Sequence, residues 1–418
     1  MFVIKLISIE KEEKMNIKAP KGTKDILPEE VASWQNIEET ALKLFNSAGV
    51  KEIRTPIIED TLLFERGVGD TTDIVNKEMY TFEKSDRSLT LRPENTAGVV
   101  RAYLEHNMFR LSSPVKLWYK GPMFRYERPQ AGRQRQFHQI GMEMFGEKAP
   151  SADAEAISLA VQFLKNLGLT ELTVELNSLG CDKCRQSFRE KLKNILRPYL
   201  SELCEDCQTR FEKNPLRILD CKNENCIKIF SSINEENWNK IDLCPECQEH
   251  YDKLKEYLQA LDIKYSENPN LVRGLDYYTR TVFEIKSFNL GSQNAVCGGG
   301  RYDNLVSLMG GQPTPAVGWA MGVERLNSLL PQKEQGMLDY FVVSDNTTEA
   351  MKLAFEIRNK NHTADFDYAG RKFAKQLEKA SKVAKKAIIL GEDEIKGNYL
   401  TVKDLETSEQ TKVSRNEI

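Results

Sequence analysis

The stretch Gly121–Phe145, GPMFRYERPQAGRQRQFHQIGMEMF, constrains the fold most, because it reads as two strands joined by an arginine-rich loop. Side chains alternate between the faces of a strand. In the second strand, Phe137, Gln139, Gly141, Glu143 and Phe145 share one face, and His138, Ile140, Met142 and Met144 share the other. The second set is nearly all apolar and belongs against a core. The first set places a glutamine and a glutamate on either side of a glycine, which leaves room beside the backbone. Met123, Arg125 and Glu127 share a face of the first strand in the same way, and Arg128, Gln130, Arg133 and Arg135 fall between the strands with Pro129 and Gly132. Such a surface suits a polar cationic ligand on the strand and polyanions around the loop. A solvated sheet face with a charged hairpin accounts for the same residues.

A chain of 418 residues exceeds one ordinary core, so two or three domains are expected. The net charge of −3 excludes a globally basic nucleic-acid binder, and any such contact must use local basic patches. No run approaches the length of a membrane span. The opening FVIKLISI is short, broken by Lys5 and followed by KEEK, with no small-residue cleavage site, which makes a poor secretory signal. Met15 follows, so residues 1–14 read as an over-extended start or a frayed tail. A cytoplasmic location is expected, where cysteines are reduced thiols or metal ligands.

Along the chain, Val31, Trp34, Ile37, Ala41, Leu44 and Phe45 recur at helical spacing over Pro28–Phe45. VKEIRTPIIED reads as a strand interrupted at Pro56. Leu89–Arg92 is a short strand, and Glu94 then stands near the start of the helical run Ala97–Glu105, where capping alone explains a carboxylate. A helix from Ser151 to Gly168 precedes the strand Leu172–Leu176. From Cys181 to about Ala260 the chain is charged, helical in pattern and holds eight of its nine cysteines, as an insertion would. Tyr278–Ile285 alternates, Cys297–Arg301 reads as a glycine-rich turn leading into a helix Asp303–Leu308, and Ala316–Met321 is a strand running into the helix Glu324–Leu330. Pro331–Gln335 is the best linker, and the remainder alternates strand and helix as a small α/β domain.

The glycine-rich stretches GVGDTTD and CGGGRYD lack the lysine and hydroxyl residue of a phosphate-cradling loop, and each taken alone is a structural turn. Arg325 lies in the first turn of a helix, an unfavourable place for a cation unless an anion sits there too. Arg273, followed by Gly274, Asp276, Tyr277 and Tyr278, has the composition of a site, although a surface salt bridge also fits.

Taken in order, these stretches resemble the histidyl-tRNA synthetases, class II aminoacyl-tRNA synthetases, from about Ile17 onward. VKEIRTPIIED resembles the first class II motif, used in dimerisation. FRYERPQAGRQRQFHQIGMEMFG resembles the second, and VGWAMGVERL the third; LTLRPENTAG, LVRGLDYYTRTVFE and CGGGRYDNLV are similar to segments peculiar to the histidine-specific members. The resemblance implies an α+β fold. It would have an antiparallel-sheet catalytic core at 15–180 and 261–332, the Cys-rich helical insertion at 181–260, and an α/β anticodon-binding domain at 336–418. It implies ligation of L-histidine to tRNA(His) by a homodimer, with ATP and Mg²⁺, through histidyl-adenylate. By the same resemblance Arg125 and Arg273 flank the α-phosphate as the catalytic arginines, and Arg325 binds the terminal phosphates. Glu94, Thr96 and Gln139 hold the α-ammonium group; Glu143 and Tyr278 meet the imidazole, with Tyr277 and Tyr302 nearby. The tRNA acceptor end lies over Arg128, Gln130, Arg133 and Arg135. In the C-terminal domain Arg371, Lys375, Lys379, Lys382 and Lys386 fall on one helical stripe opposite Phe373, Leu377, Ala380 and Ala384, and such a stripe follows a phosphate backbone as readily as it faces solvent.

The chain departs from the pattern at Asn95 and Gly298, where relatives often have glycine and alanine, and it stops at KVSRNEI, where many continue into a final helix. A larger departure is the set Cys181, Cys184, Cys204, Cys207, Cys221, Cys226, Cys244 and Cys247, in which CxxC spacing lets two thiolates grip one tetrahedral zinc. His250 is a substitute ligand, and buried or redox-active thiols are the alternatives. Competing functions are the synthetase-like regulatory subunit of ATP phosphoribosyltransferase, which shares the core but charges no tRNA, and a zinc-dependent RNA-binding protein on a vestigial core.

Overall fold

A computed structural model describes residues 17–69, 72–111, 113–130, 132–233, 238–287, 295–331 and 336–418. It divides the chain into two compact units, Met1–Lys333 and Glu334–Ile418. Residues 1–14, much of the linker at 331–335, and Asp70 and Thr71 of GVGDTTD lie outside the described residues.

The first unit contains β1 (Lys51–Glu52), β2 (Ile58–Asp60), β3 (Tyr80–Lys84), β4 (Arg87–Leu91), β5 (Val115–Phe124), β6 (Gln136–Phe145), β7 (Leu172–Ser178), β8 (Tyr265–Glu267), β9 (Thr279–Ser287), β10 (Ala295–Arg301) and β11 (Ala316–Gly322). Eight of them form a sheet in the order β1-β5-β6-β11-β10-β9-β7-β8, and β2-β4-β3 form a small second sheet. The interior of the large sheet is antiparallel, from β5 through β6, β11, β10 and β9 to β7. Only its edge pairs, β1 with β5 and β7 with β8, are parallel.

Both faces of this sheet are covered. On one, alternation sends Ile140, Met142 and Met144 of β6 into a core with Trp34 and Phe45 of the helix Pro28–Ser47, Ile157 of Pro150–Asn166, and Leu254 of Pro245–Ala260. On the other, Tyr119, Phe145, Val282 and Tyr302 join a core that continues into Phe188, Leu192, Phe211 and Ile229 of the Cys-rich helices. The insertion is therefore packed on the sheet through shared apolar side chains, and its last helix belongs to the opposite core.

One buried ion pair locks the two layers. Arg301, at the end of β10, reaches Asp153 in the helix Pro150–Asn166 at 2.5 Å, and neither side chain is exposed. Its remaining donors meet the carbonyls of Glu147 and Ala149 and the carboxylate of Asp303. Burial pushes the Asp153 carboxyl up, but Arg301 and His250 outweigh that and hold it below the ordinary range. A depressed acid contributes stability above its unfolded pKa and loses it as pH falls through the folded one.

Several expectations are corrected. Cys297–Arg301 is a central strand, not a turn: its glycines lie between β9 and β11, where side chains would collide with Thr281, Gly318 and Trp319. The helix after it spans only Leu305–Leu308. VKEIRTPIIED supplies two short strands to different sheets, separated at Pro56, where the Arg92 guanidinium holds the Thr55 carbonyl at 3.0 Å and the Pro122 carbonyl at 2.9 Å. Asn95 has a structural use, accepting from the Thr55 hydroxyl at 2.6 Å and from Arg92 at 3.2 Å. The first hairpin strand ends at Phe124, so Arg125 lies just beyond it, tied by its backbone N–H to the Arg135 carbonyl.

The second unit contains β12 (Leu338–Val343), β13 (Ala364–Phe366), β14 (Ala384–Ile389), β15 (Tyr399–Asp404) and β16 (Gln410–Ser414), in the order β13-β12-β14-β15-β16. Its helix Phe373–Val383 does not carry the whole basic stripe. Lys386 is in β14, and Arg371 precedes the helix and pairs with Asp367. Lys375 and Lys382 both pair with Glu378, and Lys379 lies 5.1 Å from the Phe341 ring. Helical spacing continued past the true end of the helix and ignored the acid on its own face.

Asp153→Ala strands the Arg301 charge in the core, and is expected to cost about 3–5 kcal/mol in urea unfolding. Adding Arg301→Met removes that charge and should recover part of the loss; an Asp153→Ala variant of parental stability would contradict the assignment.

Candidate active site

The centre of the large sheet is stripped of side chains on one face. Gly141 of β6 stands opposite Ala320 of β11, and Gly298 and Gly300 of β10 stand opposite Ala320 and Gly318. A Cβ on Gly141 would strike the Tyr119 phenol, on Gly318 the Glu143 carboxylate, and on Gly298 the Arg273 guanidinium. On Gly300 it would come within 2.9 Å of the Tyr278 ring. The glycines thus provide a floor on which polar groups lie flat against backbone. Gly298 gives Arg273 that space.

At one end of this floor is a buried polar cluster. Glu143 is only 1% exposed and accepts from Tyr302 Oη at 2.5 Å, Thr96 Oγ1 at 2.7 Å and Tyr119 Oη at 3.4 Å. Burial pushes its carboxyl up to about 8, against the pull of those donors. Glu94 lies beside it, also buried and also shifted upward by burial. Its oxygens accept from the backbone N–H groups of Thr96 and Ala97 at 2.8 and 2.9 Å, so it caps the helix Thr96–Glu105 as well as lining the cluster. The rings of Tyr277 and Tyr278 lie 4.8 Å apart, and those of Tyr277 and Tyr302 5.6 Å apart, which walls the cluster. Burial pushes the Tyr278 phenol up to about 12, so it remains a neutral donor.

Beyond the cluster lies an open cleft of about 680 Å³ lined by Arg125, Arg133, Gln139, Arg273 and Arg325. Arg125 donates to the Pro93 carbonyl at 2.8 Å and lies 5.3 Å from the Phe137 ring. Arg273 pairs with Glu284 on β9, yet its Nε is buried without a hydrogen-bond partner. The buried Gln139 Oε1 also has none. Arg325 donates to the Ala295 carbonyl at 2.5 Å; burial, and after it Arg133, draws its pKa down. Cations brought together and partly desolvated suit a polyanion, and guanidinium cannot escape by losing its proton.

Of the residues expected at the histidine and ATP sites, Glu94, Thr96, Glu143, Tyr277, Tyr278 and Tyr302 fall in the buried cluster, and Gln139 lines the cleft with Arg125, Arg273 and Arg325. The loop residues divide. Arg128 and Gln130 are exposed, and Arg133 faces the cleft at 3.6 Å from Glu127. Arg135 is turned away, its guanidinium 3.8 Å from the Tyr126 ring. Sequence reasoning missed Gly300, Gly318 and Tyr119, and it missed the insertion's share of the cleft wall: Arg217, Asp220 and Lys222. A glycine at alternate positions of neighbouring strands was the available signal for the floor. Nothing local marks Asp220 or Lys222.

A histidyl-tRNA synthetase family profile matches residues 22–183 and 232–326, and an anticodon binding domain profile matches residues 332–418. The chain belongs to the histidyl-tRNA synthetase family. It is 49% identical over 412 residues to the histidine–tRNA ligase of Acetivibrio thermocellus, covering 96% of this chain and 98% of that protein. It is 50% identical over 409 residues to that of Aquifex aeolicus, covering 97% and 100%. Among solved structures, apo histidyl-tRNA synthetase from S. aureus superposes with a TM-score of 0.79 at 37% identity, covering 96% of this chain and 98% of that one. A Bacillus halodurans protein described as an ATP phosphoribosyltransferase regulatory subunit/histidyl-tRNA synthetase shares the fold at 23% identity, with a TM-score of 0.66 over 91% of this chain and all (100%) of that one. Histidyl-tRNA synthetase membership brings with it the class II use of ATP and Mg²⁺.

Gly318→Ala places a methyl group where the Glu143 carboxylate lies. Histidine affinity should fall at least tenfold in equilibrium titration, with the circular dichroism spectrum unchanged; unchanged affinity would show that the floor does not shape the pocket.

Proposed function

We propose that this chain ligates L-histidine to tRNA(His), first forming histidyl-adenylate from ATP and then passing the histidyl group to the terminal ribose. The supporting observation is that a buried, carboxylate-containing cluster and an arginine-lined cleft lie on one glycine floor, with Gly298 and Gln139 lining the cleft. A histidine in the pocket would direct its own carboxylate into the cleft.

The cluster and the adjoining cleft supply partners for the ammonium group and the imidazole of histidine. The ammonium group meets Glu94, Thr96 and the unpartnered Oε1 of Gln139; the imidazole meets Glu143 and Tyr278, enclosed by Tyr277 and Tyr302. An amino acid lacking the imidazole leaves Glu143 and Tyr278 without their ligand partner, and such sites discriminate by roughly 10⁴-fold. In the cleft, the histidine carboxylate attacks the α-phosphate, bringing one anion against another. Arg125 and Arg273 offset the charge that accumulates on the α-phosphate, and the buried Arg273 Nε is a donor held ready for it. Arg325, with Arg133 beside it, holds the terminal phosphates until diphosphate leaves. Mg²⁺ would enter with the nucleotide and neutralise its phosphate oxygens; Glu127 and Glu284 line the same cleft and offer the hard oxygen donors it takes.

The tRNA acceptor end is assigned to the loop bearing Arg128, Gln130 and Arg133, with Arg135 supporting it through Tyr126. The anticodon stem is assigned to the second unit. A homodimer is supported by Ile57, Ile58, Leu62 and Phe82, large apolar side chains exposed on and beside the small sheet. A cytoplasmic location accords with this reading, and no helix among the described residues is long and apolar enough to cross a membrane. The cysteine quartets contribute no reacting group to the adenylation chemistry, and we assign them to structural zinc.

Pyrophosphate–ATP exchange with each amino acid tests the activity: exchange should require histidine, and none with histidine would favour the regulatory-subunit reading instead. Arg273→Ala should slow exchange at least 10²-fold; a near-parental rate would remove its catalytic role. Glu143→Gln should abolish histidine-dependent exchange while changing the pH profile of stability. An acid with a raised folded pKa keeps its proton where the unfolded chain has lost it, so Glu143 costs stability increasingly from the ordinary glutamate range up to about 8. Removing it should leave the parent the less stable protein at pH 8–9, by on the order of a few kcal/mol, with the gap closing near pH 5. A pH-independent difference would contradict the buried charge.

A further inference from the structure

Among the described residues, two groups of four cysteines converge, Cys181, Cys184, Cys244 and Cys247 in one and Cys204, Cys207, Cys221 and Cys226 in the other. Within each, all four Sγ atoms lie within 4.8 Å of one another. The pairs Cys181–Cys184, Cys181–Cys244 and Cys204–Cys221 are 3.7, 4.0 and 3.8 Å apart. A tetrahedron of thiolates on zinc, with bonds of about 2.3 Å, has edges of about 3.8 Å. A disulfide requires about 2.0 Å, and all eight thiols are free.

Electrostatics points the same way. Each quartet sits between two helix N-termini. Cys181 and Cys244 are the residues capping Asp182–Leu196 and Pro245–Ala260. Cys204 caps Glu205–Lys213, and Cys226 lies in the first turn of Glu224–Ser232. Two positive helix ends aimed at one point repel unless anionic charge lies between them. Four thiolates and one divalent cation supply a net charge of about −2 there. Backbone N–H groups already aim at the sulfurs: Cys244 to Cys184 at 3.2 Å, Cys204 to Cys226 at 3.3 Å, and Asn223 to Cys221 at 3.4 Å. Such donors orient and stabilise metal-bound thiolate. Tetrahedral thiolate sets take zinc or iron, and zinc suits a site whose neighbours transfer no electrons.

The two sites differ in what they hold. The first joins the point where the insertion leaves the sheet, just after β7, to the helix that returns to it before β8. The second lies in 184–231, outside both segments matched by the family profile. Its ligand Cys221 is flanked directly by Asp220 and Lys222, which line the nucleotide cleft together with Arg217. The same segment is docked on the catalytic unit, since Asn214 donates to Asp276 at 2.8 Å and Arg210 and Arg217 face Asp73 at 3.4 and 3.7 Å.

We propose that the chain binds two zinc ions, one pinning the two ends of the insertion together at the sheet, the other fixing residues 215–222 as a wall of the nucleotide cleft. The inference rests on the assignment of the quartets to zinc. The metal count does not depend on the chemistry assigned to the cleft, so the two readings fail separately.

Elemental analysis of the full chain, purified without added metal, should give two zinc per chain, with mercurial titration consuming four thiols per zinc released. Cys204→Ser/Cys226→Ser should retain one zinc, and its KM for ATP in exchange should rise at least fivefold while the KM for histidine stays within twofold. Fewer than two zinc ions, iron in their place, or eight thiols reacting in native protein without metal release would overturn the sites. Loss of one zinc with an unchanged KM for ATP would overturn the positioning role. Should this variant fail to fold, mercurial release of zinc from the parent, followed at once by ATP affinity, carries the same two outcomes.

Discussion

The whole site depends on backbone being laid bare at the middle of a sheet. A central strand ordinarily presents a side chain at every second residue on each face. Here Gly141, Gly298, Gly300 and Gly318 vacate that layer across three neighbouring strands, and the emptied volume is filled by Tyr119, Glu143, Arg273 and Tyr278. Glycine weakens a strand, since it has no side chain to pack and more conformational freedom to lose. The loss is offset on the opposite face, where Ile140, Met142 and Trp319 are packed under three helices, and at the end of β10, where Arg301 is locked to Asp153.

On this floor charge is sorted by position. Carboxylates occupy the dry end, where burial pushes the Glu143 carboxyl up to about 8 and shifts Glu94 upward as well. Arginines occupy the open end, where no change of pH within the stable range removes their charge. In the proposed reading, a molecule with a cationic or N–H-bearing head and an anionic tail would be oriented before any chemistry begins, with the tail among the guanidinium groups. The orientation follows from electrostatics and desolvation, with the insertion closing one wall of the cleft.

Much of this was legible in the sequence, for physical reasons that differ by element. The alternation in β6 was legible because its two faces meet different surroundings, and Ile140, Met142 and Met144 lie in the core as their pattern requires. Arg325 was legible as a candidate because a cation in the first turn of a helix is unfavourable without an anion, whereas Arg125, Gln139 and Arg273 were singled out by motifs that resemble those of the family. The glycine triplet at 298–300 misled, since glycine marks turns as well as crowded strands, and only pairing partners separate the two cases. The basic stripe at 371–386 misled because periodicity cannot show where a helix ends: Lys386 lies in a strand, and Glu378 answers Lys375 and Lys382. The contribution of Asp220 and Lys222 to the cleft was invisible, because the packing of the insertion on the sheet is a tertiary fact.

The central claim is that the buried Glu143 end of the floor receives an imidazole. Binding of ¹⁵N-ring-labelled histidine, followed by nuclear magnetic resonance as pH is varied, tests it most directly. The account predicts that the bound ring nitrogens leave their free positions and titrate well above the ordinary histidine range, because a carboxylate favours the protonated ring. Ring nitrogens that titrate in the complex as they do in free solution would contradict it.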